Sequence, residues 1–479
     1  MPPDSIEDVN APSAERAIYC NRTLNLRSIA VIGYDLDYTL VHYNTLEWER
    51  RAYHHTRLRL AERGWPVEDL TFDPDQVIQG LTLDLELGNL LKVTRFGYVI
   101  RAVHGTRLLG FDELRRAYAG TFVDLSDARW RFVNTLFSLS EATLFAQLVD
   151  LADKGSIPEV MGYDDLYRTI LGALNASHVE GALKGEILAD PDRFIEDDPE
   201  VVETLLDQQR AGKHLMLITN SDWGYADRIL THVFDRHLGD DQTWRDLFDT
   251  VIVSANKPDF FEGDRALYRV VDESQGLLRP EYGPIEPGGV YYGGSARRVE
   301  QSLGVSGDEI LYLGDHLFGD VHVSKSLLRW RTALVIRELE SEISALHGFA
   351  AREAELVEMM SEKARLEARI AELRLQRQRL QAGVALHSGS RAEVESELDE
   401  VRRGLAQLDD RIAPLAIAAG TLSNESWGLL MRSGVDKSLY ARQVERYADV
   451  YTSRVSNFRA VTPYAFLRAF RSPLPHDAV

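Results

Sequence analysis

Several features that would place a chain in a specialised class are scarce or missing in this sequence. Cys20 is the only cysteine among 479 residues, which excludes an intrachain disulfide and a metal site built on several thiolates. No run approaches the roughly 20 apolar residues of a membrane-spanning helix. The first residues, MPPDSIEDVN, are acidic where a secretion signal needs a basic start. We therefore expect a cytoplasmic protein that does not insert into membranes.

Basic residues are also few relative to acidic ones, with 54 Lys and Arg against 75 Asp and Glu and a net charge of -21. A protein of this charge repels phosphate backbones and anionic lipid, so we expect no general binding to nucleic acid or membranes. The negative net charge still allows a pocket for one small phosphate, because a bound metal ion can offset nearby negative charge. The length predicts two or three domains.

Four short apolar runs are each followed by polar residues suited to chemistry. They are residues 29–33, 215–218, 251–253 and 310–313. Helical stretches at 199–210 and 225–234 separate the later runs. Alternation of this kind predicts an α/β fold with a parallel sheet, and such sheets bind ligands at the carboxyl ends of their strands. We expect the four polar endings to meet at one site.

The segment Asp35-Leu36-Asp37-Tyr38-Thr39 follows the first run and indicates phosphoryl-transfer chemistry. Asp35 is suited to attack phosphorus and form an aspartyl-phosphate, and Asp37 to give a proton to the leaving oxygen and later take one from water. A carboxylate and a phosphate dianion repel each other strongly at short range. A divalent cation is therefore required, and oxygen ligands favour Mg²⁺.

Three further groups follow the later runs. Asp315 is suited to bind the metal directly, and Asp320 to orient a metal-bound water from a second shell. Thr219-Asn220-Ser221 offers a hydroxyl, an amide and backbone N–H groups for a phosphate, with a catalytic role for Thr219. Lys257 offers a positive charge for the phosphate and for Asp35. Taken singly, Ser221 or Asp222 is also plausible as a helix N-cap, and Lys257 as a surface ion pair.

The order of these residues resembles the four-motif signature of the haloacid-dehalogenase (HAD) superfamily. Longer stretches resemble the cytosolic purine 5′-nucleotidases, the group that prefers IMP and GMP. These stretches are YDLDYTL, NTLFSL, TNSDW, KPDFF, YYGGS, LYLGDHLFGDV, WRT, MRSG and RYADVY. The similarity covers residues 27–340 and resumes over residues 422–467.

The resemblance implies a Rossmann-like core with a cap, and Mg²⁺ held by Asp35, the backbone carbonyl of Asp37 and Asp315. It also implies that Asn134 and Phe137 face the purine, with Phe137 stacked on the ring. A core position in a helix is the alternative for Phe137.

The sequence departs from the family in one segment. The family has an Arg, an Asp, a His and a Tyr shortly before a Lys-Gly pair, and residues 175–183 do not keep this set in register before Lys184-Gly185. His178 and Glu180 are the candidate substitutes. The preferred base is therefore left open.

The spacing of the motifs predicts five segments. They are an N-terminal extension (1–26), a HAD core (27–49 and 196–345), an inserted, mostly helical cap (50–195), an antiparallel helical hairpin (350–415) and a C-terminal segment that packs on the core (420–479). Within the cap, helices are predicted at 127–152 and 163–174. The hairpin is predicted from heptad spacing, with Arg377 interrupting the first seam and a turn within 383–390. The hairpin either pairs with itself or pairs with another subunit, and we expect a homo-oligomer. The seam residues are Leu366, Ile370, Leu373 and Leu380 in one helix and Val394, Leu398, Val401, Leu405, Leu408, Ile412 and Leu415 in the other.

Three hypotheses for function follow. The first is Mg²⁺-dependent hydrolysis of nucleoside 5′-monophosphates, purine and IMP/GMP-like, with phosphoryl transfer to a nucleoside as an additional activity. The second keeps the chemistry and assigns another small phosphate monoester. The third is a non-catalytic interaction protein that uses the hairpin. The complete set of acid, hydroxyl and lysine positions argues against the third, since a scaffold does not need carboxylates gathered at one point.

Overall fold

A computed structural model describes residues 12–158, 162–179, 181–273, 275–384 and 390–471. The chain divides into two compact units, one formed by Met1–Glu340 with Leu430–Val479 and the other by Ser341–Leu429. None of the helices in these described ranges combines the length and apolar character that crossing a membrane requires.

A large mixed sheet forms the centre of the first unit. Seven neighbouring strands, from β20 to β15, run parallel, which confirms the predicted α/β fold. The strands, from one edge to the other, are β1 Tyr19–Cys20, β20 Val450–Thr452, β17 Arg331–Val335, β16 Ile310–Gly314, β3 Val31–Tyr34, β11 His214–Ile218, β12 Thr250–Val253, β15 Gly289–Gly293, β13 Leu267–Asp272 and β14 Leu277–Pro280.

The four predicted strands are neighbours in this sheet, in the order β16, β3, β11 and β12. Their side chains alternate between two hydrophobic layers: Ile32 and Leu217 belong to one, and Val31 and Met216 to the other. Both faces are covered, which is why these strands read as continuous apolar runs.

Helices α7 Pro199–Arg210, α8 Trp223–Phe234, α9 Asp259–Glu262, α10 Ala296–Leu303, α11 Val323–Leu328 and α14 Leu439–Tyr447 belong to the same unit. Helix α7 has the predicted bounds. Helix α8 begins two residues earlier than predicted because Asp222 caps it, its carboxylate accepting a hydrogen bond from the Tyr225 N–H at 3.0 Å.

A long insertion separates β3 from β11, and the antiparallel pair β4 His42–Tyr43 and β10 Ile195–Glu196 closes its two ends. Most of its regular structure is helical, in α1 Thr45–Glu62, α2 Phe111–Tyr118, α3 Leu139–Asp153, α4 Tyr163–Val179, α5 Ala182–Ala189 and α6 Pro191–Phe194. A five-stranded antiparallel sheet accompanies the helices and was not predicted. Its strands, in spatial order, are β8 Arg107–Leu108, β7 Val99–His104, β6 Asn89–Val93, β5 Thr82–Asp84 and β9 Trp130–Phe132.

The predicted helix at 127–152 is wrong over its first part. Residues 130–132 form strand β9, which pairs with β5, and the helix begins only at Leu139. Trp130 is buried while Arg131 is exposed, so the segment alternates as a strand does, and its aromatic residues favour a strand as well. The helix predicted at 163–174 lies within α4.

The chain returns to the main sheet near its C-terminus through β20, next to β17. A fully buried carboxylate, Asp449, joins the two, because it pairs with Arg331 at 2.9 Å and accepts the Thr332 N–H at 3.1 Å. Two short pairs complete the strands, β2 Leu24–Asn25 with β21 Phe466–Leu467 and β18 Arg432–Ser433 with β19 Asp436–Lys437.

The second unit contains most of helix α12 Leu339–Gln381 and all of α13 Arg391–Gly420. Two apolar clusters join the helices, one around Leu373 and Leu398 and the other around Met359 and Leu408. Residues late in α12 therefore contact residues early in α13, so the helices are antiparallel. Ser390 caps α13. Residues 385–389, in the predicted turn, lie outside the described residues.

Candidate active site

The carboxyl ends of the central strands surround a cavity of about 460 Å³, a size typical of small-molecule sites. Each central strand contributes residues through the loop that follows it: β3 through Asp35, β11 through Asn220, β12 through Lys257 and β16 through Asp315. The full lining is Asp35, Asp37, Phe137, Asn220, Lys257, Pro258, Glu262, Asp315, His316, Phe318, Gly319, Asp320, His322 and Val323.

Lys257 lies between two of the predicted acidic residues. Its Nζ is 2.7 Å from Asp35 Oδ1 and 2.8 Å from Asp320 Oδ1, and it donates to the Tyr312 hydroxyl at 3.0 Å. That hydroxyl in turn donates to the Ile218 carbonyl at 3.1 Å. The lysine is therefore held from three sides, and a surface ion pair is excluded because its side chain is only 4% exposed.

Asp35, Asp315 and Asp320 form a buried acidic cluster in which one oxygen from each lies within 4.8 Å of the others. Burial raises the pKa of Asp35 to about 7, with the Lys257 ammonium opposing the rise and the Asp320 and Asp37 carboxylates adding to it. Burial, together with the Asp320 and Asp35 carboxylates, raises the pKa of Asp315 well above its usual range. One lysine offsets only part of this charge, so the cluster favours a bound cation. Buried oxygen ligands suit Mg²⁺.

Asp320 approaches the cluster because position 314 has no side chain. A Cβ at Gly314 would lie 2.5 Å from Asp320 Oδ2. Asp320 Oδ2 also accepts the His316 N–H at 3.2 Å. Asp320 lies in a π-helical segment, Leu317–His322, a type of structure often found at functional sites.

The Asp37 side chain is fixed by two hydroxyls. Tyr43 donates to Oδ1 at 2.6 Å and Ser221 donates to Oδ2 at 2.7 Å. Lys184 contacts the same serine, because its Nζ donates to the Ser221 hydroxyl at 3.2 Å. The Nζ also lies 4.4 Å from the centre of the Tyr225 ring. A chain of polar contacts thus links helix α5 to the carboxylate two residues after Asp35.

The residues of the predicted phosphate-binding run, Thr219 to Ser221, contact one another and Lys257. Thr219 is fully buried and its hydroxyl accepts the Ser221 N–H at 3.0 Å. The Asn220 side chain accepts the Lys257 N–H at 2.6 Å and donates to the Lys257 carbonyl at 3.1 Å. Thr219 and Ser221 do not line the cavity in the described residues, whereas Asn220 does. The run holds the loop of Lys257 in place.

The turn before helix α3 brings the insertion to the acidic cluster. Thr135 donates to Asp315 Oδ2 at 3.0 Å. Phe137 lines the cavity and makes edge contacts with Tyr38 and Trp48, at centroid distances of 4.7 and 5.2 Å. Phe137 belongs to an aromatic cluster and also lines the cavity, and its stacking on a purine stays a prediction.

The remaining residues predicted to contact the base are placed differently. Asn134 does not line the cavity within the described part of the chain, and its carbonyl accepts the Gln79 amide at 2.9 Å. The expectation for His178 and Glu180 lies outside the described residues, which omit residue 180 and the side chains of residues 177–179.

Several residues at the site were missed by sequence reasoning. Tyr312 and Thr135 contact the predicted acidic and basic residues, while Glu262, His316 and His322 line the cavity. Thr135 lies in the stretch NTLFSL and Tyr312 in LYLGDHLFGDV, both quoted for the resemblance. Glu262 follows the stretch KPDFF directly. Those stretches were the available signal. The roles of the individual side chains are evident only from their contacts in the structure.

Residues 18–479 match the 5′ nucleotidase family. The chain belongs to this family. Membership confirms the predicted enzyme class, while the purine-preferring subgroup stays a prediction.

Two relatives illustrate the similarity. A 5′-nucleotidase domain-containing protein of Dictyostelium discoideum is 26% identical over 471 residues, which cover 96% of this chain and 74% of its own length. The human 5′-nucleotidase domain-containing protein 2 is 27% identical over 481 residues, which cover 96% of this chain and 85% of the human protein.

Solved structures show weaker similarity. An archaeal β-phosphoglucomutase from Pyrococcus has 11% identity and a TM-score of 0.30, with 64% of this chain and 86% of that chain covered. A predicted phosphoglycolate phosphatase from Haemophilus somnus has 15% identity and a TM-score of 0.28, with 64% of this chain and 85% of that chain covered.

Proposed function

We propose that this protein is a Mg²⁺-dependent phosphatase that hydrolyses nucleoside 5′-monophosphates with Asp35 as the nucleophile. The observation that carries the proposal is the buried group of Asp35, Asp315, Asp320 and Lys257 at the carboxyl ends of adjacent strands. Burying three carboxylates together costs folding free energy unless a ligand compensates it. Membership in the 5′-nucleotidase family supports the same reaction class.

The cluster fits the metal that this reaction requires. Asp35 and Asp315, with the backbone carbonyl of Asp37, would hold Mg²⁺, and Asp320 would support it from the second shell while pairing with Lys257. The bound ion would supply positive charge that lets an anionic phosphate approach the carboxylates.

The contacts of Asp35 support its proposed role as the nucleophile. Its Oδ1 accepts the Leu36 N–H at 2.7 Å and contacts Lys257 at the same distance. Attack by Oδ2 would leave both contacts in place. The new bond joins Asp35 Oδ2 to phosphorus, the bond from phosphorus to the ester oxygen breaks, and Lys257 neutralises charge on the transferred group.

Asp37 is the proposed acid and base. It gives a proton to the departing 5′-oxygen and later removes one from the water that attacks the phosphorus of the aspartyl-phosphate. The bond between phosphorus and Asp35 Oδ2 then breaks, which releases phosphate and restores the Asp35 carboxylate. To reach the leaving oxygen it gives up one of its two hydroxyl contacts, and Tyr43 has an alternative partner because its hydroxyl is 2.8 Å from that of Tyr225.

The nucleoside part of the proposal depends on Phe137, whose ring borders the cavity that also contains Asp35. A flat aromatic wall suits stacking of a base. We further propose a purine, IMP- or GMP-like, as the preferred base, and transfer of the phosphoryl group to nucleosides as a second activity.

Purified protein assayed with Mg²⁺ against phosphate monoesters tests these statements. We expect turnover of IMP, GMP or AMP to exceed that of ribose 5-phosphate and other sugar phosphates. Equal or faster turnover of the sugar phosphates would remove the nucleotide part and favour the second hypothesis. Phe137→Ala should raise KM for nucleotides and leave the constants for ribose 5-phosphate unchanged.

A further inference from the structure

Helix α12 has a second line of uncharged residues, on the side opposite the one that packs against α13. The line repeats with a spacing of four and three residues, which makes these the a and d positions of a heptad. Leu366, Ile370 and Leu373, which pack toward α13, fall at the c and f positions on the other side. Every member of the line is exposed: Ala350, Ala354, Val357, Ser361, Ala364, Ala368, Ala371 and Leu375.

This face differs from an ordinary solvated helix surface. Eight successive core positions lack charge, although the positions beside them are mostly charged. Large apolar side chains on or beside the line are well exposed, with Val357 at 56%, Met360 at 45% and Leu375 at 47%. A helix that faces only water usually places charged residues there. Within the described residues, the hairpin covers one apolar face of α12 and leaves this one uncovered.

We propose that this second face of α12 binds the same face of another copy of the chain, forming an antiparallel two-stranded coiled coil about a twofold axis. The choice of a second copy, and of its direction, comes from the charges that flank the line.

In the antiparallel arrangement, Ala364 faces Leu375 of the partner subunit. The contact then covers the part of the line from Ser361 to Leu375, because α12 ends at Gln381. Opposite charges then meet at every flanking pair in which both residues are charged. Arg365 lies opposite Glu372 of the partner subunit, Glu358 opposite Arg379 of the partner subunit, and Glu367 opposite Arg374 of the partner subunit. The twofold axis repeats each pair, which gives six ion pairs in all.

Parallel pairing and antiparallel shifts of one heptad place like charges together. A shift of one heptad in either direction puts Arg365 or Glu372 opposite its own copy. A parallel pair of helices brings together two glutamates, Glu367 and Glu372, and two arginines, Arg374 and Arg379. Exposed ion pairs contribute little affinity singly, but repulsion disfavours parallel pairing and shifts of one heptad. A shift of two heptads that places Ala364 opposite Ser361 of the partner subunit also joins opposite charges, but it forms four ion pairs instead of six.

Charge reversal in the full-length protein tests the pairing. One variant makes the flanks wholly acidic and a second makes them wholly basic. The substitutions are R365E, R374E and R379E in the first, and E358K, E367K and E372K in the second. We expect each variant alone to sediment at half the mass of the wild type, and an equimolar mixture to regain the wild-type mass.

Two readouts keep this test decisive. Helix content by circular dichroism and turnover per active site should stay unchanged, since the hairpin contacts between α12 and α13 are not altered. A wild-type chain that is monomeric at every concentration tested would overturn the proposal. So would variants that keep the wild-type mass, or a mixture that fails to reassociate.

Cysteine pairing tests the direction in a Cys20→Ser background. The mixture of A364C and L375C chains should form an intersubunit disulfide, whereas neither variant alone should. Copies of residue 364 would lie about 16 Å apart along the axis, too far for a disulfide. A crosslink in A364C alone would indicate parallel helices or an antiparallel shift of two heptads, and either result would reject the arrangement.

Discussion

Carboxylates have opposite environments in the two units of this protein. At the candidate site, Asp35, Asp315 and Asp320 are buried within 4.8 Å of one another, and burial raises the pKa of Asp35 and Asp315. In the hairpin, Glu397 and Asp409 remain 44% and 47% exposed and face Arg369 and Lys363 at 2.6 and 2.7 Å.

The difference separates charges that stabilise a fold from charges that serve a ligand. Exposed pairs like those of the hairpin contribute at most about 1 kcal/mol each and gain nothing further from a ligand. A buried group of like charges destabilises the folded protein until a cation or a proton joins it. We therefore expect substitutions at the site to alter turnover and metal binding, and substitutions in the hairpin to alter assembly.

The largest effect should follow Asp35→Asn. The amide cannot attack phosphorus, so kcat should fall by about 10⁴-fold or more, measured as phosphate release from IMP in the presence of Mg²⁺. Folding should survive, because removing one of the clustered charges relieves repulsion. Asp240→Asn, at an exposed position, is the matched control and should retain full activity. Full hydrolysis by the Asp35 variant would show that another residue is the nucleophile.

Lys257→Met should have the next largest effect. Without the ammonium, Asp35 and Asp320 face each other uncompensated. We expect kcat/KM to fall by about 10²- to 10³-fold, and loss of one partner of a buried pair to destabilise the fold by about 3–5 kcal/mol.

Lys257→Arg provides the matching control. It restores the charge but not the compact geometry, so it should recover stability more than activity. Activity recovered together with stability would mean that Lys257 supplies charge alone.

A smaller effect, on thermal stability, should depend on pH. The pKa of Asp35 is about 7 in the folded protein, against an ordinary value of 3.8. A raised pKa contributes stability that is fully present below the ordinary value and is lost as the pH rises through about 7.

The metal-free protein should therefore melt at a lower temperature at pH 8 than at pH 5, and Mg²⁺ should raise Tm more at pH 8 than at pH 6. Differential scanning fluorimetry with and without EDTA measures both. In Asp35→Asn the gain from Mg²⁺ should depend less on pH. An equal gain at both pH values in the wild type would show that the proton and the metal do not compete at the cluster.

The order of parallel strands explains why much of the site could be predicted from the sequence. Asp35, Lys257 and Asp315 are far apart in the chain, but each follows a buried apolar run, and neighbouring parallel strands place such endings at one edge of the sheet. The hairpin was predictable for a different reason, because its contacts repeat at local spacings of three and four residues.

The contacts of individual side chains could not be predicted in this way. Asn220 and Ser221 are predicted to bind phosphate, which stays a prediction, and the sequence did not indicate that their side chains contact Lys257 and Asp37. Thr135 comes to Asp315 only through the docking of the insertion on the sheet. Polar residues at the carboxyl end of a strand indicate where a site lies. The partner of each side chain depends on packing between segments that are distant in the chain, as for Thr135 and Asp315.

Thr135→Val should produce a moderate effect that depends on the metal. The change keeps the shape of the side chain and removes its hydrogen bond to Asp315. Partners of metal ligands typically affect metal affinity by 10- to 100-fold, so the Mg²⁺ concentration for half-maximal activity should rise by about tenfold. Saturating Mg²⁺ should restore most of kcat. Thr143→Val, on helix α3, is the control, because the Thr143 hydroxyl donates to the backbone carbonyl of Leu139 and not to the cluster.

The smallest effect on turnover should come from the largest change to the chain. Deletion of residues 350–415 leaves ends that lie near each other, since the start of α12 and the end of α13 belong to the same end of the antiparallel hairpin. Turnover per active site should stay within about twofold, because no residue of the acidic cluster, its lysine or the loops that hold them is removed. Light scattering should show a smaller assembly than the wild type. An unchanged mass with a large loss of turnover would reverse the comparison, since the hairpin would then serve the site rather than the assembly.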